Sequence, residues 1–215
     1  MEAELFPRGR TRVASGAVHV PDWLHTDAQR ELLAACRGWA RPPAGLRTVR
    51  TPGGGTMTAR QVCLGWHWYP YGYARTVVDG DGAPVKPFPP WLGELGRRAV
   101  SDALDAEAAT GEYDIALINF YDGDARMGMH RDSDEKSDAP VVSLSLGDTC
   151  VFRFGNTETR ARPYTDVELR SGDLFVFGGP SRLAHHGVPR VHAGTAPPEL
   201  GLSGRLNITL RASGF

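Results

Sequence analysis

The sequence has no apolar run long enough to cross a bilayer, and it has few cysteines. Its first ten residues carry acids before the first base and no apolar segment, unlike a signal peptide. Cys36, Cys63 and Cys150 are far apart and form no C-x-x-C pair. This spacing argues against a disulfide or zinc framework and is typical of a reducing compartment. We therefore predict a cytoplasmic protein with no membrane partner.

Lysine is nearly absent, and the total charge is close to zero. Of the 24 basic residues only Lys86 and Lys136 are lysine, and the net charge is -1. This balance excludes a chain that binds nucleic acid through its total charge alone. Arginine is the better ligand for phosphate. However, an arginine bias also follows from genome composition, and we give that explanation the greater weight.

The length of 215 residues predicts one domain, residues 1–215. A flexible lead covers about residues 1–16, where no apolar periodicity is visible and Arg8, Arg10 and Arg12 read as solvated. Residues 17–110 are expected to form N-terminal helices and a lid, and residues 111–215 a β-rich core.

Two helices are predicted before the core. Thr26 to Gln29 resembles a capping box, and apolar residues follow at helical spacing until Pro42-Pro43. A second helix opens at Pro89-Pro90-Trp91 and is expected to run to about Ala109. Both helices should pack against a sheet.

The segment between the helices, residues 44–90, is rich in glycine, proline and aromatic residues. This composition predicts hairpins and loops outside the core sheet. Its aromatic residues, with arginines nearby, suit the stacking of bases and the binding of phosphates. A small aromatic core beneath long loops explains them equally well, and the sequence leaves both interpretations open.

Beyond Gly111 the chain alternates between short apolar strands and turn residues, with no helix between them. The predicted strands cover residues 115–121, 141–146, 150–154, 167–169, 174–177 and 206–211. This pattern predicts a mainly β protein, built as an antiparallel β-sandwich or jelly roll.

His130-Arg131-Asp132 places an imidazole and a carboxylate two residues apart, on one face of extended backbone. Together they supply two of the three ligands of a 2-His-1-carboxylate facial triad, which holds non-haem Fe(II). The third ligand must then be a later histidine. His185, His186 and His192 all qualify, and the residues alone do not choose among them.

The last predicted strand alternates strictly, so Arg205, Asn207, Thr209 and Arg211 share one face. A surface strand is the ordinary explanation for such a polar face. Two guanidinium groups pointing into a barrel would instead suit a small dianion such as a five-carbon dicarboxylic acid. The predicted strand at residues 115–121 has a similar polar face, with Asn119 and Tyr121 on the same side.

Four motifs, in this order, resemble the AlkB family of DNA dealkylases, and most closely its bacterial branch. They are Asn119-Phe120-Tyr121, His130-Arg131-Asp132-Ser133-Asp134-Glu135, Ser181-Arg182-Leu183-Ala184-His185-His186-Gly187 and Arg205-Leu206-Asn207-Ile208-Thr209-Leu210-Arg211. Thr51-Pro52-Gly53-Gly54, Met57 and Leu64-Gly65-Trp66 extend the likeness toward the N-terminus. The resemblance runs from about Val18 to the end of the sequence. It implies a double-stranded β-helix (jelly roll) with N-terminal helices and a hairpin-rich nucleotide-recognition lid.

The resemblance also implies Fe(II), 2-oxoglutarate as co-substrate, and O2. It assigns the catalytic metal site to His130, Asp132 and His186. Arg205, Asn207 and Tyr121 would bind the distal carboxylate of 2-oxoglutarate, and Arg211 and Asn119 would lie near its iron-chelating end. Trp66 and His130 would sandwich the damaged base, and Asp134 would face its positive charge. Tyr73 and Arg160 would contact the nucleotide backbone.

The implied reaction is oxidative demethylation of N1-methyladenine and N3-methylcytosine, with release of formaldehyde, succinate and CO2. The implied partner is alkylated DNA, with single strands preferred, double strands also accepted and RNA as an alternative. We expect a monomer. The same chemistry on tRNA, protein or a small molecule is the alternative function. A non-catalytic jelly-roll module is a third hypothesis, but we would expect it to lack part of the triad or of the arginine pair.

Overall fold

The computed structural model describes residues 7–51, 53–104, 108 and 111–215. Two helices are present, α1 (Thr26–Trp39) and α2 (Pro90–Ala103). The strands are β1 (Thr11–Ala14), β2 (Ala17–Val20), β3 (Arg47–Arg50), β4 (Thr56–Leu64), β5 (His67–Tyr69), β6 (Gly72–Ala74), β7 (Ile115–Tyr121), β8 (Met127–His130), β9 (Val141–Gly147), β10 (Thr149–Phe154), β11 (Thr165–Leu169), β12 (Leu174–Phe177), β13 (His186–His192) and β14 (Arg205–Arg211).

The strands form a large and a small antiparallel sheet. The large sheet has the order β1-β2-β12-β9-β14-β7-β4-β3, and the small sheet has the order β11-β10-β13-β8. Strands β5 and β6 form a separate hairpin. The mainly β, jelly-roll prediction is confirmed, and the six strands predicted in the core all occur with bounds shifted by at most two residues.

The helices cover the outer face of the large sheet. Leu33 of α1 and Val100 of α2 belong to one apolar cluster with the sheet residues Leu144, Val176 and Ile208. This burial explains why both helices form, since their apolar faces need a partner. No helix in the described ranges is long and apolar enough to span a membrane.

The helix ends differ slightly from the prediction. The N-cap of α1 is His25, whose Nδ1 accepts from the Ala28 amide at 3.3 Å, so Thr26 does not begin a capping box. Helix α2 begins at Pro90 as expected but ends at Ala103. Ala109, the predicted end, lies outside the described residues.

The prediction of a flexible lead is wrong where the structure describes it, from residue 7 onward. Strand β1 pairs with β2 at the edge of the large sheet. Arg8 is bound to the buried carboxylate of Asp173, with Nη2 2.7 Å from Oδ1, and Arg10 donates to the Ala103 carbonyl. Residues 1–6 of the predicted lead lie outside the described part of the chain.

The segment 44–90 was predicted to lie outside the core sheet, and this is wrong for β3 and β4. Strand β4 pairs with β7 over five residues, including Gln61 opposite Asn119. The last four residues of β4 are buried, because α-helical residues cover one face of the sheet and the β5–β6 hairpin packs near the other. The run up to Trp66 is strand-like in the sequence, but the turn residues around it conceal its place in the large sheet.

Candidate metal centre and co-substrate pocket

The small sheet brings two histidines together. His130 ends β8, His186 begins β13, and the two residues are direct partners in the antiparallel register. Their ring centroids are 4.5 Å apart. Gly187 permits this close approach, since a Cβ atom there would lie 2.7 Å from the Met127 carbonyl oxygen. A glycine therefore follows His186 because any larger residue would keep β13 from approaching β8 this closely.

Asp132 completes the group from the loop after β8. One ligand atom from each of His130, Asp132 and His186 lies within 4.8 Å of the others. The Nε2 atoms of His130 and His186 are each 3.6 Å from a carboxylate oxygen of Asp132. His185 is excluded because its Nδ1 faces the Asn156 carbonyl oxygen at 3.0 Å, and His192 because it ends β13, opposite Thr149.

Backbone carbonyl groups fix the tautomers of both histidines. Nδ1 of His130 lies 2.9 Å from the Gly128 carbonyl oxygen, and Nδ1 of His186 lies 3.0 Å from the Ala184 carbonyl oxygen. A carbonyl can only accept, so both Nδ1 atoms carry the proton and donate. Each Nε2 atom therefore presents a lone pair toward Asp132, which is the arrangement found in metal-binding histidines.

The electrostatics favour the protonation states that a metal needs. Burial lowers the pKa of His186 to about 4, against the raising effect of Asp132, so the ring is neutral near pH 7. Burial by itself would raise the pKa of Asp132. Arg211 and the two histidines overcome it and bring that pKa to about 2. Two imidazoles and one ionised carboxylate fit a non-haem Fe(II) site.

A cavity beside the triad reaches into the space between the sheets, and Arg205 lies in its wall. The side chain of Arg205 is almost fully buried; Nη2 donates to Ser145 Oγ at 2.9 Å, and Nε has no partner among the described residues. It forms no salt bridge with any described carboxylate. A buried guanidinium without a counter-charge is costly, so this wall is suited to an anion. Tyr121 and Asn207 line the same cavity.

Arg211 lies at the other end of the polar face of β14 and is tied to the triad. Its Nη2 is 2.7 Å from Asp132 Oδ2, and its Nη1 is 2.9 Å from Glu135 Oε1. Glu135 is fully buried and also accepts from Arg182 Nη2 at 3.1 Å. Arg182 in turn donates to the carbonyl of Asp132 at 2.7 Å. These charges form one buried network that holds the loop carrying the metal ligand.

Sequence reasoning missed the roles of Glu135 and Arg182. Glu135 ends the motif at residues 130–135, and Arg182 lies in the motif at residues 181–187; both motifs carry the AlkB resemblance. However, they are 47 residues apart, and nothing in one sequence shows that their charges meet. Only the fold brings the two motifs together.

The β5–β6 hairpin, called the lid hairpin below, is joined to the same loop. Trp68 Nε1 donates to Asp134 Oδ2 at 2.8 Å, and the hydroxyl of Tyr73 donates to Glu135 Oε1. Burial raises the pKa of Tyr73, so its hydroxyl keeps its proton. Tyr73 and Trp68 therefore contact the loop that follows Asp132, but neither Tyr73 nor Asp134 lines the cavity. The predicted contact of Tyr73 with a nucleotide backbone stays a prediction.

Trp66 and Arg160 do not line the cavity. Trp66 donates from Nε1 to Asp114 at 3.1 Å, and the guanidinium of Arg75 lies 3.4 Å from its ring centroid. Phe215 meets Trp66 edge-on with centroids 5.0 Å apart. Arg160 is exposed on the loop between β10 and β11. The predicted contacts of these two residues with substrate also stay predictions.

Comparison with known proteins identifies the class. Residues 16–211 match the family described as the 2OG-Fe(II) oxygenase superfamily, and the chain belongs to it. This confirms the predicted family chemistry of Fe(II), 2-oxoglutarate and O2, for which His130, Asp132 and His186 are the candidate metal ligands.

Within that superfamily the relatives are AlkB proteins. The chain is 37% identical over 199 residues to the Alpha-ketoglutarate-dependent dioxygenase AlkB homolog of Caulobacter vibrioides, covering 89% of this chain and 84% of that protein. It is 30% identical over 221 residues to the DNA N(6)-methyladenine demethylase ALKBH1D of Arabidopsis thaliana, covering 93% of this chain. The chain spans only about half (50%) of that plant protein's length. The structure titled "The structure of OsALKBH1" superposes with a TM-score of 0.82 at 31% identity, covering 94% of this chain and 100% of the other.

Proposed function

We propose that the chain is an Fe(II)/2-oxoglutarate-dependent dioxygenase that removes methyl groups from base nitrogens in nucleic acid. The observation that carries this proposal is a single cavity shared by two features. One is the His130, Asp132 and His186 group, and the other is the buried guanidinium of Arg205, which has no counter-charge among the described residues. The first suits Fe(II), and the second suits the distal carboxylate of a dicarboxylate co-substrate.

In this proposal Nε2 of His130, Nε2 of His186 and a carboxylate oxygen of Asp132 hold the metal. Fe(II), with 2-oxoglutarate and O2, supplies the oxidation that hydroxylates a methyl group and yields succinate and CO2. The protein's own contribution is to fix the ligands. The Gly128 and Ala184 carbonyls orient the two rings, and Arg211 keeps Asp132 ionised.

The co-substrate lies along the polar face of β14. Arg205, with Asn207 and Tyr121, lines the cavity and would bind the distal carboxylate. Arg211 and Asn119 line the same cavity and would lie toward the end that chelates the metal. Apolar residues that line the cavity, including Phe152 and Phe177, limit the entry of water to this site.

The substrate we propose is a cationic methylated base, N1-methyladenine or N3-methylcytosine, in DNA. Such bases cannot pair normally, so extruding them costs little. Asp134 brings a negative charge two residues from the ligand Asp132. In this proposal the base stacks between the rings of His130 and Trp66, on the face of Trp66 that Arg75 does not cover. Hydroxylation of the methyl gives N–CH2OH, whose C–N bond breaks as the hydroxyl proton leaves, releasing formaldehyde and the unmodified base.

Arginines near the triad support a nucleic-acid partner. The loop at residues 155–164 follows β10, whose Phe154 is paired with His186. Arg153 and Arg162 lie over the ring of Tyr164, at 4.0 and 5.3 Å from its centroid. Arg160, on the same loop, is exposed and available for phosphate. A single domain that meets a flexible strand needs no symmetry, so a cytoplasmic monomer is part of the proposal.

A second candidate substrate is N6-methyladenine, because the Arabidopsis relative is named as a demethylase of that base. N6-methyladenine is neutral, whereas N1-methyladenine is a cation, so Asp134 favours the second. Methylated tRNA, a protein or a small molecule is the remaining alternative for the same chemistry.

The test uses anaerobically Fe(II)-loaded protein, 2-oxoglutarate and single strands that each carry one N1-methyladenine or one N6-methyladenine. After O2 is admitted, mass spectrometry reports loss of the methyl group and formation of succinate. Loss from the N1-methyladenine strand that requires both iron and 2-oxoglutarate supports the proposal, with Asp132→Ala as the inactive control. Succinate formation with every strand still methylated would refute the substrate. No succinate from iron-loaded protein would refute the enzyme.

A further inference from the structure

Asn119 presents its side-chain amide to the proposed co-substrate cavity from β7. Its Oδ1 atom accepts from Gln61 Nε2 at 3.0 Å, across the β4–β7 pair. Gln61 is buried. Among the described residues nothing accepts from Asn119 Nδ2. An amide has the same shape in either orientation, so its neighbours alone decide which atom faces the cavity.

The orientation of Gln61 is fixed by donors around its Oε1 atom. Arg47 Nη2 lies 3.5 Å away and Cys63 Sγ lies 3.4 Å away. A guanidinium has no acceptor atom, so Gln61 must turn Oε1 toward Arg47. Its Nε2 then faces Asn119, where it can only donate.

Arg47 is itself held in place. Its Nε donates to Asp79 Oδ1 at 2.8 Å, and its Nη2 donates to the carbonyl of Trp68 at 2.5 Å. Asp79 also lies 2.6 Å from Nε2 of the fully buried His67. The cation that orients Gln61 is therefore anchored to the lid hairpin and its following loop. None of these residues lines the cavity.

We propose that Gln61, oriented by Arg47, is a positioning residue that turns the Asn119 amide so that Nδ2 donates to a carboxylate of 2-oxoglutarate. This inference rests on the co-substrate site of the proposed function. Hydrogen bonds connect Asp79, Arg47, Gln61 and Asn119 in that order. At each contact one side chain donates and the other accepts, so the orientation of each fixes that of the next. In the reverse orientation, Oδ1 of Asn119 would face the anion and repel it.

The test compares two substitutions of nearly equal shape. Gln61→Glu presents only acceptors, so Asn119 must donate Nδ2 to it and turn Oδ1 toward the cavity. The dissociation constant for 2-oxoglutarate should rise about tenfold or more, the effect of losing a hydrogen bond to a charged group. Gln61→Met neither donates to Asn119 nor accepts from it, so the Asn119 amide takes both orientations about equally. About half of the molecules then present Nδ2 to the cavity, and the dissociation constant for 2-oxoglutarate should rise about twofold.

Binding is measured by calorimetric titration of anaerobic Fe(II)-loaded protein, which does not turn over without O2. Gln29→Glu is the matched control, because Gln29 is a buried amide on α1 that bonds Leu24 and Ser171, away from the cavity. Its affinity for 2-oxoglutarate should equal that of the wild type, and thermal unfolding reports whether each variant is folded.

The ordering of the variants decides the result. A much weaker Gln61→Glu and a slightly weaker Gln61→Met support the inference. Equal weakening of both folded variants, or none, would overturn it. A wild type that binds no 2-oxoglutarate would instead refute the proposed co-substrate site, which is a separate result.

Discussion

Glu135 Oε1 lies 2.9 Å from Arg211 Nη1, and neither residue is exposed to solvent. Glu135 also pairs with Arg182, so it neutralises two buried arginines near the metal ligand Asp132. Burial alone would raise the pKa of Glu135, but Arg211 lowers it below its usual value, so the group is ionised at neutral pH.

The first prediction is that Glu135→Gln lowers the free energy of unfolding by about 3 kcal/mol, because it leaves buried cations without their counter-charge. Urea denaturation measures the loss. Glu168→Gln is the control, since Glu168 pairs with Arg170 at an exposed site and should change stability by less than about 0.5 kcal/mol. If the two variants were equally stable, Glu135 would not stabilise the fold through its buried ion pairs.

The second prediction concerns the N-terminal strand. Burial alone would raise the pKa of Asp173, but hydrogen bonds from His19 and Arg8 bring it to about 2. A carboxyl whose pKa is lower in the folded protein stabilises the fold above its unfolded pKa of about 4 and loses that contribution as pH falls toward 2. Asp173→Asn should therefore cost about 2 kcal/mol or more at pH 7 and about half as much at pH 3. Denaturant midpoints at both pH values check this, and a cost independent of pH would contradict it.

The sequence predicts six of the core strands, because their signals are local, but not β8 and β13, which carry the two histidines. A strand such as β14 shows its two faces by alternation, and His130 and Asp132 lie within three residues. The order in the lead and the place of β4 in the large sheet were missed for a different reason. Arg8 is ordered by Asp173, which is 165 residues away, and β4 is buried only because β7 pairs with it.

The surroundings of the site show the same limit. The family resemblance selects His186, but the residues alone do not separate it from the adjacent His185; the physical reason is the register of β13 with β8. The hydrogen bonds that orient Asn119 connect residues of β3, β4 and β7 with the lid hairpin. These residues are far apart in the chain, so no periodicity in the sequence indicates that they are in contact. Charge pairing and amide orientation are products of the assembled fold.

The third prediction separates the two candidate bases. Asp134→Asn removes a negative charge but keeps an acceptor that can take the hydrogen bond from Trp68 Nε1. We expect kcat/KM for the N1-methyladenine strand to fall about tenfold or more, since a charge-assisted contact is lost. Activity on a neutral N6-methyladenine strand should change little. Steady-state kinetics on both strands measure this, and an equal fall on both would show that Asp134 does not sense the charge of the base.

The fourth prediction follows from the buried charge of Arg205, which no described carboxylate neutralises. Arg205→Met should leave the free energy of unfolding without ligand within about 1 kcal/mol of the wild type, or raise it, because it removes an uncompensated charge. Wild-type protein with 2-oxoglutarate at a hundred times its dissociation constant should gain about 2.7 kcal/mol, and the variant should lose most of that gain.

Thermal unfolding of the anaerobic Fe(II)-loaded protein, with and without 2-oxoglutarate, separates these two effects. Arg153→Met is the control, because Arg153 pairs with Asp166 on the exposed side of β10 and should leave the gain from 2-oxoglutarate intact. If Arg205→Met destabilised the ligand-free protein strongly, the guanidinium would be part of the folding core. If the variant kept the full gain from 2-oxoglutarate, the anion would bind elsewhere. Loss of the gain without loss of stability is the result expected of an arginine that is kept for its ligand, because such a charge contributes little to the fold until the anion arrives.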